Sequence, residues 1–162
     1  MMGMPPRAPA PSAAQAPRAF GHVPARRNQA REAEQLETAR RYLAAIEAGA
    51  TGESLAAFFA PDVEQTEFPN RLVPSGATRD LAALLEGAHK GQHVLKRQRF
   101  EVRRVHALGE VVVLELLWVG TLALTLGKLA AGEDMRAHFC VVLEFRDGRI
   151  WRQRNYDCFE AF

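Results

Sequence analysis

Two hydropathy periods divide this chain. Over 30–48, Leu36, Ala39, Tyr42, Leu43 and Ile46 recur at helical spacing and Gly49 ends the run, which predicts an amphipathic helix. A short second helix is expected over 53–60, with Thr51 as N-cap and Pro61-Asp62 as its stop. Residues 63–68 read as a strand closed by Pro69, and Pro74-Ser75-Gly76 as a turn. Thr78 then caps a third predicted helix from Arg79 to about His89, whose Leu81, Leu84, Leu85 and Ala88 share a face. From Arg99 onward the period is two. Four strands are predicted over 99–107, 111–126, 135–146 and 149–159, with turn signals at Leu108-Gly109-Glu110, 127–132 and Asp147-Gly148. The fold class is α+β: three N-terminal helices packed on an antiparallel sheet that curls around them.

The last strand carries the most chemistry. Alternation puts Ile150, Arg152, Arg154 and Tyr156 on one face and Trp151, Gln153, Asn155 and Asp157 on the other. If the second face is inward, a carboxylate and two amides line the interior and need partners or a ligand. Burial beside Trp151 then raises the pKa of Asp157, as a general acid or base requires. Gln65 and Glu67 share a strand face with Val63, and an inward Glu67 adds a second acid opposite Asp157. Which face of 63–68 is inward is open at this stage. Trp118, in the most apolar strand, completes the set of ligand-contacting candidates.

Charge narrows the partners. All five basic residues of 1–31 are arginines, and that stretch has no acid; the other 16 of the 21 basic residues and all 19 acidic ones lie in 32–162, net −3. The basic pI therefore belongs to the leader and is poor evidence for nucleic acid. Residues 1–29 read as a disordered Pro/Ala/Arg-rich leader or an upstream extension, and they also resemble an organelle transit peptide. Residues 30–162 form the domain, without a membrane-spanning run, and a cytoplasmic location is expected. Cys140 and Cys158 fall in strands and read as reduced, small apolar residues, with a disulfide between neighbouring strands as the alternative. His89 and His93 lack flanking carboxylates, so no metal is expected. His138 shares a face with Arg136, Cys140 and Glu144, opposite the apolar face, and belongs on the outer surface. Val112, Leu114 and Leu116, with Trp118 or its neighbours, are expected on the sheet face away from the cavity, where a twofold partner would cover them.

The strings ARRYLAAIEAG, LAAFFAPD, ATRDLAALL and VVLEFRDGRIWRQRNYDCF, in this order and spacing, resemble the cone-shaped fold of nuclear transport factor 2, ketosteroid isomerase and the SnoaL-like polyketide cyclases. The resemblance covers about residues 30–162. It implies an internal cavity for a small, mostly apolar organic ligand, and no cofactor; a homodimer is expected from the apolar strand over 112–122 instead. Tyr42 matches the isomerase tyrosine that donates to a developing oxyanion. The isomerase base, an aspartate before a proline, is replaced by Phe68 before Pro69, with Glu67 the nearest acid. The second donor position falls on Val141. Gln153, Asn155 and Asp157 lie where that family lines its pocket with apolar residues, so steroid-isomerase chemistry by the same mechanism is not expected. SnoaL-like cyclases use an inward-facing acid without metal, a role Asp157 fits by position. The resemblance therefore implies a cofactor-free isomerase, cyclase or hydratase acting through Asp157 and Tyr42, or a non-catalytic binding or dimerisation module of the same fold.

Overall fold

The structure is a computed structural model that describes residues 25–162. The proposed leader therefore lies almost wholly outside the described residues. Helix α1 (Ala25–Glu47) begins before the expected Ala30 and runs to the Gly49 stop. Helix α2 (Gly52–Ala56) has five residues, because the chain becomes extended at Phe59 and β1 (Phe59–Glu67) takes over positions assigned to helix from sequence. Ala77–Arg79 forms a short strand, β2, against the end of β1. The cap of α3 (Leu81–Val94) is consequently Asp80, whose carboxylate accepts the Ala83 amide at 2.9 Å, and not Thr78. Among the described residues there are three helices, as expected, but they are not a single N-terminal block: α2 is one short turn and two strands precede α3.

Strands β3 (Leu95–Leu108), β4 (Val111–Leu122), β5 (Asp134–Arg146) and β6 (Arg149–Phe159) complete a curled six-stranded sheet of order β2-β1-β6-β5-β4-β3. Its pairs are antiparallel with one exception: β1 runs parallel to β6. Alternation reports faces and not strand direction, and no turn joins these two strands, so this departure from an all-antiparallel sheet left no mark in the pattern. The β5–β6 hairpin closes through Asp147-Gly148, both with positive φ (53° and 74°), in keeping with the twist that a two-residue hairpin requires.

The helices cover one face of the sheet. Ala39, Tyr42 and Leu43 of α1 pack on Val112, Leu114 and Leu116 of β4, Val141, Leu143 and Phe145 of β5, and Ile150 of β6. A second cluster gathers Trp118, Leu122, Met135 and Ala137 with Phe139, Phe159 and Phe162. Val112, Leu114, Leu116 and Trp118 thus face inward, which corrects the expectation that they present an open apolar surface. Leu117 and Val119 take the other face, and both are buried without a partner chain. In register beside them lie Glu101 and His138, and Arg99 and Arg136, whose long stems cover apolar neighbours while their charges stay wet.

Alternation in β6 is broken once. Glu144 pairs with Arg152 and Phe145 with Ile150, so Trp151 is an extra residue in a bulge. Ile150 is therefore fully buried on the same side as Gln153, not on the side of Arg152 and Arg154.

Candidate functional site

Beyond the bulge, the predicted face holds. Gln153 is buried and Asn155 and Asp157 are partly buried, whereas Arg152, Tyr156 and Cys158 are exposed. On the parallel neighbour, Gln65 and Glu67 stand in register with Gln153 and Asn155, so the inward face of β1 is Val63, Gln65 and Glu67. On the antiparallel neighbour, Phe139 lies opposite Asp157 and Val141 opposite Asn155.

These side chains form one hydrogen-bonded chain. The Tyr42 hydroxyl donates to Gln153 Oε1 at 3.1 Å, and Gln153 Nε2 donates to Asn155 Oδ1 at 2.8 Å. Gln65 Nε2 also donates to Asn155 Oδ1, at 3.2 Å. Arg79 Nη1 then donates to Gln65 Oε1 at 3.2 Å and to Glu67 Oε2 at 2.7 Å, and Asn70 Nδ2 to Glu67 Oε1 at 2.8 Å. Each donor fixes the orientation of the next amide, so Asn155 holds its oxygen toward two donors and is left with its NH₂ for Asp157.

Asp157 is the one member left short. Its Oδ1 is buried and has no hydrogen-bond partner among the described residues. Its pKa is pushed up from 3.8 to about 7, first by burial and then by the negative charge of Glu67, against smaller lowering effects from the Asn155 hydrogen bond and from Arg79. Glu67, by contrast, is tied to Arg79. Two carboxyl groups on adjacent strands are thus held differently: one is ion-paired, and the other has its pKa raised to about 7. Tyr42 is buried between the rings of Phe58 and Phe59, and burial drives its hydroxyl up to about 12, with the Gln153 bond pulling the other way. It remains a neutral donor.

Aromatic rings border the acid on its other sides. Phe139 stacks on Trp118 (centroids 5.6 Å apart, 14° between planes), and Phe159 meets both edge-on. Trp118 is fixed by its own indole N–H, which donates to Gln98 Oε1 at 3.0 Å, and by Gly120, where a Cβ would come within 2.5 Å of the indole. Phe100, Phe139 and Phe159 are only partly buried, and α3, which packs its Leu81, Leu84 and Leu85 toward this side, has no fully buried residue.

The structure thus brings together Asp157, Asn155, Gln153, Glu67 and, through Gln153, Tyr42. Trp118 joins through Phe139. Trp151 does not join them. Lifted out of the alternation by the bulge, it lies under the guanidinium groups of Arg146 and Arg152, 5.0 and 4.2 Å from its ring, so the apolar neighbours of Asp157 are Phe139 and Phe159 instead. Gln65, Asn70 and Arg79 enter the network without a strong sequence signal; only the shared face of Gln65 and Glu67 pointed that way. His138 is exposed, with Nε2 3.3 Å from Glu160. Among the described residues no group of three His, Cys, Asp or Glu side chains is arranged to hold a metal ion, and no helix is long and apolar enough to cross a membrane.

Residues 39–153 match the SnoaL-like domain family. No curated protein matches the chain by sequence. Among solved structures, AclR of Streptomyces galilaeus, a candidate hydroxylase, superposes with TM-score 0.66 at 16% identity over 80% of this chain and 81% of that one. IdmH of Streptomyces antibioticus, a candidate polyketide cyclase, gives 0.64 at 20% identity over 76% and 91%. A phenazine biosynthesis-related protein of Pseudomonas aeruginosa gives 0.63 at 17% over 82% and 84%. At these identities the likeness establishes the fold alone.

Proposed function

Since the chain belongs to the SnoaL-like domain family, we propose that it binds a small, mostly apolar organic molecule beside Asp157, Phe139 and Phe159 and moves a proton on it through Asp157, without a cofactor. The observation that carries this reading is the buried, unpartnered Oδ1 of Asp157 beside Phe139 and Phe159. Such an oxygen costs stability unless something donates to it or it carries a proton itself. A protonated Asp157 donates to a ligand carbonyl as general acid; deprotonated, it removes a carbon-bound proton next to that carbonyl. Asn155 and Gln153 orient the acid. Tyr42 acts through Gln153, because its hydroxyl is already committed there. Burial keeps the proton on Asp157, the negative charge of Glu67 adds to it, and Trp118 backs the aromatic wall. Isomerisation, aldol-type cyclisation and hydration all use these two steps.

A ligand-binding module without turnover is the second reading. The internal satisfaction of Tyr42, Gln153 and Asn155 favours it, because those groups need no ligand. Homodimer formation is compatible with either; with the apolar strand β4 already covered, it would rest on the exposed stacked pair Phe68 and Tyr156 on the outer face.

The test uses 2-tetralone, an apolar ketone with exchangeable carbon-bound protons. Binding is read from quenching of tryptophan fluorescence, and proton transfer from deuterium exchange followed by NMR. The expected result is binding with catalysed exchange, and a loss of about 10²-fold in exchange in Asp157→Asn with little change in affinity. Binding without exchange selects the module reading. Exchange that survives in Asp157→Asn refutes the assignment of the acid.

A further inference from the structure

The amides beside Asp157 can in principle be satisfied in two directions. Gln and Asn each carry an oxygen at one corner and an NH₂ at the other, and the Tyr42 hydroxyl donates or accepts. Turned over together, Gln153, Asn155 and Gln65 would keep every hydrogen bond among themselves, with Tyr42 accepting from Gln153. Asn155 would then show Asp157 its oxygen and not its NH₂. The two ends of the chain decide between these states. Tyr42 is the weaker anchor: it can accept, but its own buried hydroxyl hydrogen is then left unpaired.

Arg79 is the stronger one, because a guanidinium has donors and no acceptor. Its Nη1 stands 3.2 Å from the Gln65 amide, so the corner facing it has to be oxygen. The rest follows from that contact. Gln65 is left with its Nε2 for Asn155, the Asn155 corner that receives it is Oδ1, and Gln153 brings its own Nε2 to the same oxygen. Arg79 is in turn held by Glu67 at 2.7 Å, and the second oxygen of Glu67 by Asn70 at 2.8 Å. The guanidinium is thus fixed on one side by an ion pair and on the other by the amide it orients.

We propose that Arg79 is a positioning residue for the reaction at Asp157: acting through Gln65, it sets the direction of the amide chain, so that Asn155 presents its NH₂ to the carboxyl group. This role rests on the reading of Asp157 as the group that moves the proton. A donor at that place supports the carboxylate left when the proton departs, whereas an oxygen there would take the hydrogen of the protonated form and withhold it from a ligand. The charged groups that act on Asp157 are Glu67 of β1 and Arg79 of β2. From β5 it faces Phe139, α3 packs Leu81, Leu84 and Leu85 toward the core, and Tyr42 of α1 reaches it through Gln153.

The experiment is an NMR pH titration of the full chain without ligand, reading the ¹³C carboxyl of Asp157 and the ¹⁵N–¹H side-chain NH₂ of Gln153. Wild type is compared with Tyr42→Phe, which removes the weaker anchor, and with Tyr42→Phe carrying either Gln65→Met or Arg79→Met. In the first two proteins Arg79 holds the chain, and the Gln153 NH₂ stays on Asn155 with no more than a small through-space change as Asp157 titrates. In both double variants protonation of Asp157 turns the chain over, so the Gln153 NH₂ shifts with the Asp157 midpoint. Gln65→Met alters no charge, and the protonated form gains the Asn155 oxygen as acceptor, so the midpoint rises by about half to one pH unit relative to Tyr42→Phe. Arg79→Met raises it further, by loss of the nearby cation. A Gln153 NH₂ that stays locked in either double variant, or that is already released in Tyr42→Phe alone, overturns the proposal. Loss of packing alone would lower stability without coupling Gln153 to Asp157. The 2-tetralone assay tests proton transfer itself, so the two readings fail separately.

Discussion

Protonation of Asp157 makes a measurable claim about stability against pH. In the unfolded chain this carboxyl titrates near 3.8, and in the folded protein near 7. Between those values the native state holds a proton that the unfolded state has released, so stability falls as pH rises. The contribution is intact below 3.8, is lost progressively toward 7, and is flat above. At about 1.4 kcal/mol for each pH unit, the full difference is about 4 kcal/mol; water reaching part of the carboxyl brings the expected figure to about 2–3 kcal/mol. Asn at this position keeps the shape and cannot ionise. The quantity to measure is the stability difference between wild type and Asp157→Asn, by urea unfolding from pH 4 to pH 8.5. It should move by about 2–3 kcal/mol in favour of the variant as pH rises. In thermal melts this is roughly 5–10 °C for a domain of this size. Titrating groups that do not interact with Asp157 are common to both proteins and cancel. A difference that stays flat, or that turns toward the wild type at high pH, refutes the claim that Asp157 is buried as an acid beside Glu67.

Glu67→Gln removes the negative neighbour and frees Arg79 to act on Asp157, so the ¹³C titration of the Asp157 carboxyl should move to lower pH; no movement would mean burial alone sets it. The bulge at Trp151 is tested by a pair of substitutions in urea unfolding. Ile150→Ala opens the core beneath α1 and should cost about 2–5 kcal/mol, whereas Trp151→Ala loses a surface ring under two arginines and should cost about 1 kcal/mol or less. The reverse order would restore unbroken alternation in β6.

By itself the sequence determined which residues are apolar at which period, and that was enough for the α+β class, for the strands of the second half and for the shared face of Gln153, Asn155 and Asp157. Period-two alternation is a local property of the backbone, and the hairpin turn Asp147-Gly148 is local too, so both are legible from neighbours alone. Tertiary structure decided what depends on pairing partners distant in the chain. The parallel β1–β6 contact turned the Glu67 face inward and set Gln65 and Glu67 in register with Gln153 and Asn155. The short β2 strand delivered Arg79 to Glu67 from a stretch that local spacing assigned to a helix. One inserted residue in β6 moved Trp151 out of the row, because each register shift of one reverses every face beyond it. The inward direction of Val112, Leu114 and Leu116 also belongs to this second class. Glu115, the one charged residue of this strand, is exposed and marks the opposite face, but Val113, Leu117 and Val119 share that face with it, and the helix laid across the strand decides.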